Sequence, residues 1–456
     1  MSPVHMDLSN SGRRSFVLRQ NTKHVDRELL KSGPLPLPLP LPASSNPGSP
    51  WALSPLRTLP LPPLFYTCIA SLHRNEGGVH SMALSKELVF TGSQSSRIRA
   101  WRKPDCLERG CIKAGLGETR AMLCYSNILF SSHKDHRIRV WNISASDVDI
   151  QYKKVATLPK RSGIFPFKRT SPHQHTERIS CMAYHHVKGL LYTGSHDRTV
   201  RVWRVADSAC VDTFLAHDNR VNEIVVNQED GCVFTCSSDG SIKIWRRVYK
   251  EGSHTLTMRL RFQEFPINAL ALSSSVDNYF LYSGSSDGSV NFWQKEPTSF
   301  RFSHGGFLQG HRLAVLCLAV MGRLVFSGSE DTTIRVWKRE EGSSIHECLA
   351  VMDGHQGPVR CVAACLEMDK VVKGYLVYSA SVDQTFKVWR VKVLPDEQVL
   401  FLGNSDNVSL SDDVNVNDGN DVVIREGLVY HQYYDMSPVL SPSWVEKKRQ
   451  GGGYFQ

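Results

Sequence analysis

Four sets of histidine, aspartate and serine or threonine recur along this 456-residue chain in the combination of a hydrolase triad. They are His175, Asp197 and Thr193; His217, Asp239 and Thr235; His311, Asp331 and Ser327; and His355, Asp383 and Ser379. In such a triad the imidazole takes the hydroxyl proton and the carboxylate orients the imidazole. Gly284 to Gly288 (GSSDG) also matches the Gly-x-Ser-x-Gly turn that presents a nucleophilic serine. Two observations argue against this chemistry. Near-identical copies at a repeat period read as scaffolding, since each repeat needs the same internal supports. The serine turn also requires a strand followed by a helix, whereas both flanks of GSSDG read as strands and its Asp-Gly marks a hairpin.

Each set ends on a tryptophan. Leu324 to Trp337 (LVFSGSEDTTIRVW) is the cleanest copy of a run that recurs seven times, closing at Trp101, Trp141, Trp203, Trp245, Trp293, Trp337 and Trp389. Within it Leu324 and Phe326 alternate with Val325 and Ser327, SEDTT supplies turn residues, and IRVW resumes the alternation; this predicts two strands and a tight turn. The turn aspartate precedes its tryptophan by six residues in six copies (Asp135, Asp197, Asp239, Asp287, Asp331, Asp383), and Ser95 replaces it in the first. His175, His217, His311 and His355 each stand four residues before the apolar residue that opens another strand.

Seven of the nine tryptophans share this position, at intervals of 40, 62, 42, 48, 44 and 52 residues. That content and period resemble the WD-repeat β-propeller, and predict an all-β fold of seven four-stranded blades. The resemblance implies that each blade joins its His, turn Asp, strand hydroxyl and Trp in one buried polar chain. The sets ending at Trp203, Trp245, Trp337 and Trp389 are complete; the second and fifth copies lack the His and the first lacks both His and Asp, so looser blades are expected there. The Trp-Asp dipeptide is absent, because every repeat Trp is followed by Arg, Lys, Asn or Gln.

Seven such blades need about 300 residues, and residues 64–395 supply the propeller. By resemblance its last blade takes its outer strand from the start of the domain, which assigns Phe65 to Leu72 to ring closure. Residues 1–63, with PLPLPLPLP and LPLPPL, read as a disordered polyproline-rich tail. Residues 396–456, with NSDNVSLSDDVNVNDGND, read as a disordered acidic tail. Ser-Pro pairs at Ser2, Ser49, Ser54, Ser437 and Ser441 are phosphorylation candidates.

Twelve cysteines show no C-x-x-C pair and no zinc spacing. Cys232/Cys236 and Cys361/Cys365 lie four apart in strands, so their Cα atoms sit about 13 Å apart, too far for a disulfide. No metal and no cofactor is expected. No apolar segment is long enough to span a bilayer and no leader is seen, which predicts a protein of the cytoplasm, the nucleus or both.

Charge is uneven. The chain carries +10, the first 63 residues +4 and the last 61 residues −6, which leaves +12 on residues 64–395. A basic propeller favours acidic or phosphorylated partners, with nucleic acid as the weaker alternative. The resemblance implies partner contacts on the top face, at three positions per blade. These are Glu118, Arg120 and Lys134; Arg178, Ser180 and His196; Arg220, Asn222 and Ser238; Pro266, Asn268 and Ser286; Ala314, Leu316 and Glu330; and Pro358, Arg360 and Val382. Arg120, Lys134, Arg178, His196, Arg220 and Arg360 are therefore the candidate binding residues. The insertion after Trp141 adds Lys160, Arg161, Lys168 and Arg169 around Phe165 and Phe167, and Ser171-Pro172 could reverse that charge if phosphorylated.

The run from Phe65 to Trp141 (FYTCIASLHRNEGGVHSMALSKELVFTGSQSSRIRAWRKPDCLERGCIKAGLGETRAMLCYSNILFSSHKDHRIRVW) resembles the JINGUBANG-like group of plant WD-repeat proteins. It implies a non-enzymatic adaptor in plant signalling, and the propeller is expected to be monomeric. A ubiquitin-ligase substrate receptor and an RNA-binding propeller are the alternatives; the expected Trp-Asp-x-Arg of the former is missing, and no recognised RNA module supports the latter.

Overall fold

The computed structural model describes residues 64–393, apart from 116, 146–148, 161–172, 249–250, 275–278, 297–298, 300 and 368–373. Both tails and their Ser-Pro pairs thus lie outside the described residues, as do Arg161, Phe165, Phe167, Lys168, Arg169 and Ser171-Pro172 of the insertion. The described chain forms seven four-stranded antiparallel sheets and no helix. The inner strands are Val79–Leu84, Thr119–Tyr125, Ile179–His185, Val221–Val226, Ile267–Ser274, Val315–Met321 and Val359–Glu367; each neighbours the next and the last returns to the first. This is the predicted seven-bladed propeller, numbered here in that order.

Burial falls off from the middle of each blade for a physical reason. The second strand lies between two neighbouring blades, so both its faces are covered: Leu88–Ser93, Leu190–Ser195 and Leu324–Ser329 are buried throughout. Outer strands such as His254–Leu260 expose most of their residues. The apolar core is consequently divided into seams between successive blades. Trp203 packs with Phe130, Ile138 and Leu158 of the blade before it, and Trp337 with Phe280, Val290 and Leu308. The recurring tryptophan is the large side chain that fills each seam.

Closure is made by the first strand. Leu64–His73 precedes blade 1 in sequence but completes blade 7, pairing from Leu64↔Val393 to His73↔Thr385 along the strand Thr385–Val393. The edge that this last strand would otherwise present to other chains is thereby filled. Leu64 is buried with Trp389 and Val391, and the Tyr66 hydroxyl donates to the Val351 carbonyl of blade 6 at 2.9 Å. At the same seam Trp101 of blade 1 stacks on Phe386 of blade 7, ring centroids 5.7 Å apart.

Two local irregularities shape the top of the ring. Every inner strand skips register near its start, as between Ile179 and Cys181 or Val221 and Glu223. Such a bulge re-aims the side chain it leaves unpaired, here His80, Ser180, Asn222, Asn268, Leu316 or Arg360. The residue after each turn aspartate is left-handed: Gly240 and Gly288 at φ +74° and +86°, Thr332 at +73°. Glycine adopts this without strain, and a Cβ on Gly288 would meet the His311 carbonyl oxygen at 2.6 Å.

All twelve cysteines are free thiols. Among the described residues no His, Cys, Asp and Glu group could hold a metal ion, and no helix is long and apolar enough to cross a membrane.

Deleting residues 64–73 uncovers the edge at Thr385–Val393. Size-exclusion chromatography is expected to show oligomers or aggregates where the full chain gives one discrete species; an unchanged elution profile would contradict the closing role.

Candidate functional site

The structure brings each His-Asp-Ser/Thr-Trp set together as a relay. In blade 3 the Trp203 indole N–H donates to Thr193 Oγ1 at 3.0 Å, Thr193 Oγ1 lies 2.9 Å from His175 Nε2, and His175 Nδ1 lies 2.8 Å from Asp197 Oδ2. Blade 4 repeats this at 2.9, 2.8 and 2.9 Å through Trp245, Thr235, His217 and Asp239. Blade 6 gives 2.9, 2.8 and 2.8 Å through Trp337, Ser327, His311 and Asp331. Blade 7 gives 2.8, 2.7 and 3.1 Å through Trp389, Ser379, His355 and Asp383.

A fifth member was not foreseen. The hydroxyl two residues after each turn aspartate donates to its Oδ1: Thr199, Ser241, Thr333 and Thr385 at 2.5, 2.7, 2.7 and 2.6 Å. The backbone N–H after each histidine (Thr176, Asp218, Arg312, Gln356) donates to Oδ2. Burial opposes ionisation of Asp197, but the hydrogen bonds from His175 and Thr199 outweigh it and hold the carboxyl well below the usual carboxylate range. Asp239 and Asp331 behave alike, through His217 with Ser241 and His311 with Thr333. Burial pushes the His175 and His355 imidazoles down against the pull of Asp197 and Asp383. A neutral ring beside a carboxylate assigns the protons: Nδ1–H donates to Asp, and the Thr or Ser O–H donates to Nε2. The supposed nucleophiles Thr193, Thr235, Ser327 and Ser379 are wholly buried under their tryptophans. No substrate carbonyl can reach them.

The remaining blades are not simply incomplete. Blade 2 corrects the sequence reading that it has no histidine: His133, from the end of its own second strand, places Nε2 2.9 Å from Ser131 Oγ, which accepts the Trp141 indole N–H at 2.8 Å. Asp135 is released from that chain and holds Arg139 at 2.8 and 3.2 Å. In blade 1 Glu76 takes the place of the missing aspartate, accepting from Arg99 at 2.5 and 3.0 Å and from Ser95 at 3.3 Å, while Arg99 also pairs with Glu108. Only blade 5 is as loose as expected. Gln263 stands at its histidine position, Asp287 is exposed, and the Trp293 to Ser283 bond is the longest of the seven at 3.3 Å.

Two further histidines, on outer strands, reach back to the preceding blade and have no mark in the repeat pattern. His254 Nδ1 of blade 4 lies 2.7 Å from Asp212 of blade 3, with Nε2 3.2 Å from the Tyr192 hydroxyl. His346 of blade 6 meets the Tyr282 hydroxyl of blade 5 at 2.9 Å.

Above these networks lie the projected top-face positions. Backbone bonds fix two of the three in each of blades 3 to 7, because the residue before the turn aspartate donates its N–H to the residue before the inner strand. These pairs are His196–Arg178, Ser238–Arg220, Ser286–Pro266, Glu330–Ala314 and Val382–Pro358. Arg178 Nε donates to His196 Nε2 at 3.0 Å and Arg220 Nε to Ser238 at 2.8 Å. Asn222 and Asn268 donate to the Ile267 and Val315 carbonyls of the next blade at 2.7 and 3.0 Å. Arg120 is paired with Glu118, which tempers its charge, whereas Lys134 and Arg360 are exposed. Burial and then the charges of Arg178, Arg220 and Arg120 push His196 down to about 4. Burial and then Arg120, Arg220 and Arg360 lower Arg178 itself, against the pull of Glu118. The insertion's Lys160 points elsewhere: its Nζ donates to the Asp207 carbonyl, in the turn between the third and outer strands of blade 3.

Five stretches of the chain match the model described as WD domain, G-beta repeat: residues 167–204, 208–246, 255–294, 302–338 and 346–390. They coincide with blades 3 to 7. WD repeat-containing protein pop1 of Schizosaccharomyces pombe is 23% identical over 194 residues, covering 35% of this chain and 24% of that protein. Transducin beta-like protein 3 of Bos taurus is 26% identical over 141 residues, covering 28% and 16%. Non-functional target of rapamycin complex subunit LST8-2 of Arabidopsis thaliana is 28% identical over 103 residues, covering 23% and 32%. The chain thus spans a third or less of the length of these relatives.

Two outcomes follow from the relays. Asp331→Ala removes the acceptor of a buried histidine and should cost about 3 kcal/mol, while Asp287→Ala, at an exposed carboxylate with no histidine, should cost under about 1 kcal/mol; urea unfolding measures both. Stability should also fall on acidification. Histidine titrates near ~6.5 in the unfolded chain, whereas burial holds His133 and His346 at about 4. Between those values the unfolded chain binds more protons, so the urea midpoint should drop steadily from pH 7 to pH 4.5. A flat profile would contradict the neutral buried rings.

Proposed function

We propose that this WD-repeat propeller is a protein-interaction scaffold that docks acidic or phosphorylated protein segments on its top face. The observation that carries the reading is the pair of exposed guanidinium groups on adjacent blades, Arg178 held by His196 at 3.0 Å and Arg220 by Ser238 at 2.8 Å, with Arg120, Arg220 and Arg360 adding like charge to the burial that lowers Arg178 and Glu118 opposing it. An incoming carboxylate or phosphate relieves that repulsion and accepts charge-assisted hydrogen bonds from the guanidinium groups. His196, neutral beside Arg178, adds no charge of its own and holds that guanidinium in place.

The frame supports such a use. Its hydroxyl, imidazole and carboxylate groups are consumed inside the blades, which leaves recognition to the residues that differ between repeats. In this reading the protein acts without catalysis of its own, as a monomer, in plant signalling and in the cytoplasm or nucleus. The plant assignment rests on the resemblance of residues 65–141 to the JINGUBANG-like group.

Affinity purification with mass spectrometry tests it, comparing the natural chain with Arg178→Glu/Arg220→Glu. Both side chains are exposed, so the variant should keep its unfolding midpoint while losing most specific partners. An unchanged partner set in the folded variant would sink the proposal. Retention of RNA with steep salt dependence would instead favour the nucleic-acid reading.

A further inference from the structure

The seam between blades 4 and 5 holds a cavity of about 300 Å³, at the strand ends opposite the turn aspartates. Its cause is one small side chain. In each blade the residue before the one paired with the repeat tryptophan packs into the seam with the next blade. Six blades place Leu88, Ile128, Leu190, Phe280, Leu324 or Leu376 there. Blade 4 places Cys232 in the same seam as Phe234, Ile244 and Met258. The shorter side chain leaves volume that two close-packed sheets do not collapse to fill.

Wall and rim differ in character. Phe234 of blade 4 and Phe302 of blade 5 both line the cavity and meet edge to face, centroids 5.5 Å apart at 84°. Ile244 and Met258 extend this apolar wall. Among the described residues, the charged groups of the lining are Arg246, Lys295 and Arg301 against the carboxylate of Asp230. Asp230 is engaged: Oδ1 accepts the Cys232 backbone N–H at 2.9 Å, and Oδ2 lies 3.6 Å from Arg246. Lys295 Nζ stands 4.6 Å from the Tyr279 ring centroid on the blade 5 side, and Arg301 is exposed. Glu296, outside the lining, accepts from Ser299 at 2.7 Å.

We infer that this seam binds a small organic anion with a flat aromatic body, an aryl carboxylate by class. The ring packs against Phe234, Phe302 and Met258, where apolar burial and edge-to-face contact favour it. The carboxylate stays at the rim and accepts charge-assisted hydrogen bonds from Arg301 and Lys295. An apolar lining with a few charged groups is how small-ligand pockets combine affinity with orientation, and this volume lies at the lower end of their range. A bare phosphate would satisfy the cations but leave the apolar wall wet. The site lies away from Arg178 and Arg220, on other blades' strand ends or at the opposite end of blade 4, and does not depend on the docking reading.

Isothermal titration calorimetry on the full chain tests this with 2-naphthoate, its neutral analogue 2-naphthamide and inorganic phosphate. 2-Naphthoate should bind in a single site with a Kd below about 0.5 mM, an affinity open to a ligand of that size. 2-Naphthamide and phosphate should each bind about tenfold more weakly or worse. Cys232→Leu, which installs the side chain common in the other blades, should abolish 2-naphthoate binding and raise the urea midpoint. Arg301→Ser should weaken 2-naphthoate about fivefold or more and leave the urea midpoint unchanged, since its side chain is exposed. Thermal melts verify folding, and Cys232→Met makes the same comparison if the leucine variant does not fold.

Binding of 2-naphthoate that survives the filled cavity places the ligand elsewhere and overturns the inference. Equal affinity for 2-naphthamide also overturns it, because the cavity would then be an apolar void indifferent to charge. Phosphate matching 2-naphthoate would do the same by making the apolar wall irrelevant. So would the absence of binding up to about 5 mM 2-naphthoate, ten times the expected Kd. Each of these results leaves partner docking at Arg178 and Arg220 untouched.

Discussion

The fold depends on one short chain of hydrogen bonds: an indole N–H to a hydroxyl, the hydroxyl to an imidazole, the imidazole to a carboxylate. Each of these groups would be costly to bury alone, and in sequence each satisfies the next. The tryptophan anchors the chain at the seam with the preceding blade, and the aspartate anchors it in the turn of its own blade. One relay thus couples turn geometry, strand register and packing between blades. Blades 3, 4, 6 and 7 use it unchanged, and two others rebuild part of it with His133 or the Glu76–Arg99 pair.

This constraint explains why residues with the makings of catalysis are inert in their present setting. A hydroxyl activated by histidine must meet a substrate, and here the same oxygen accepts an indole N–H beneath a closed seam. It also explains where specificity can reside. Residues that hold the relay are fixed, so the bulged positions and the residues flanking the inner strands are free to differ from blade to blade. That freedom produces Arg120, Arg178, Arg220 and Arg360 in blades 2, 3, 4 and 7, and Asn268 and Leu316 in blades 5 and 6.

Much of the frame was legible in the sequence because it repeats. The spacing of seven tryptophans located the blades, and the complete His-Asp-Ser/Thr sets lie within hydrogen-bonding distance in the structure. The ring-closing strand, expected at Phe65 to Leu72, spans Leu64 to His73. What stayed hidden depends on contacts without a repeat. His133 substitutes from a position where the other blades carry serine, and Glu76 reaches Arg99 from a loop 23 residues away. His254 and Asp212 meet across a blade boundary. The hydroxyls of Thr199, Ser241, Thr333 and Thr385 were visible two residues after each aspartate, but only geometry reveals that they bind its second oxygen. At the top face the alignment located the arginines, whereas the pairing of Arg120 with Glu118 and the turn of Lys160 toward blade 3 needed the structure.

The most direct test of the central claim is hydrogen exchange at the indole N–H groups, followed by NMR on protein labelled with ¹⁵N at tryptophan. If the relays hold the blades, the indoles of Trp203, Trp245, Trp337 and Trp389 exchange only through global unfolding, with one common rate. Trp293, bonded at 3.3 Å to a serine with no histidine behind it, exchanges faster through local opening of blade 5. Equal protection of Trp293 and the other four would contradict the account.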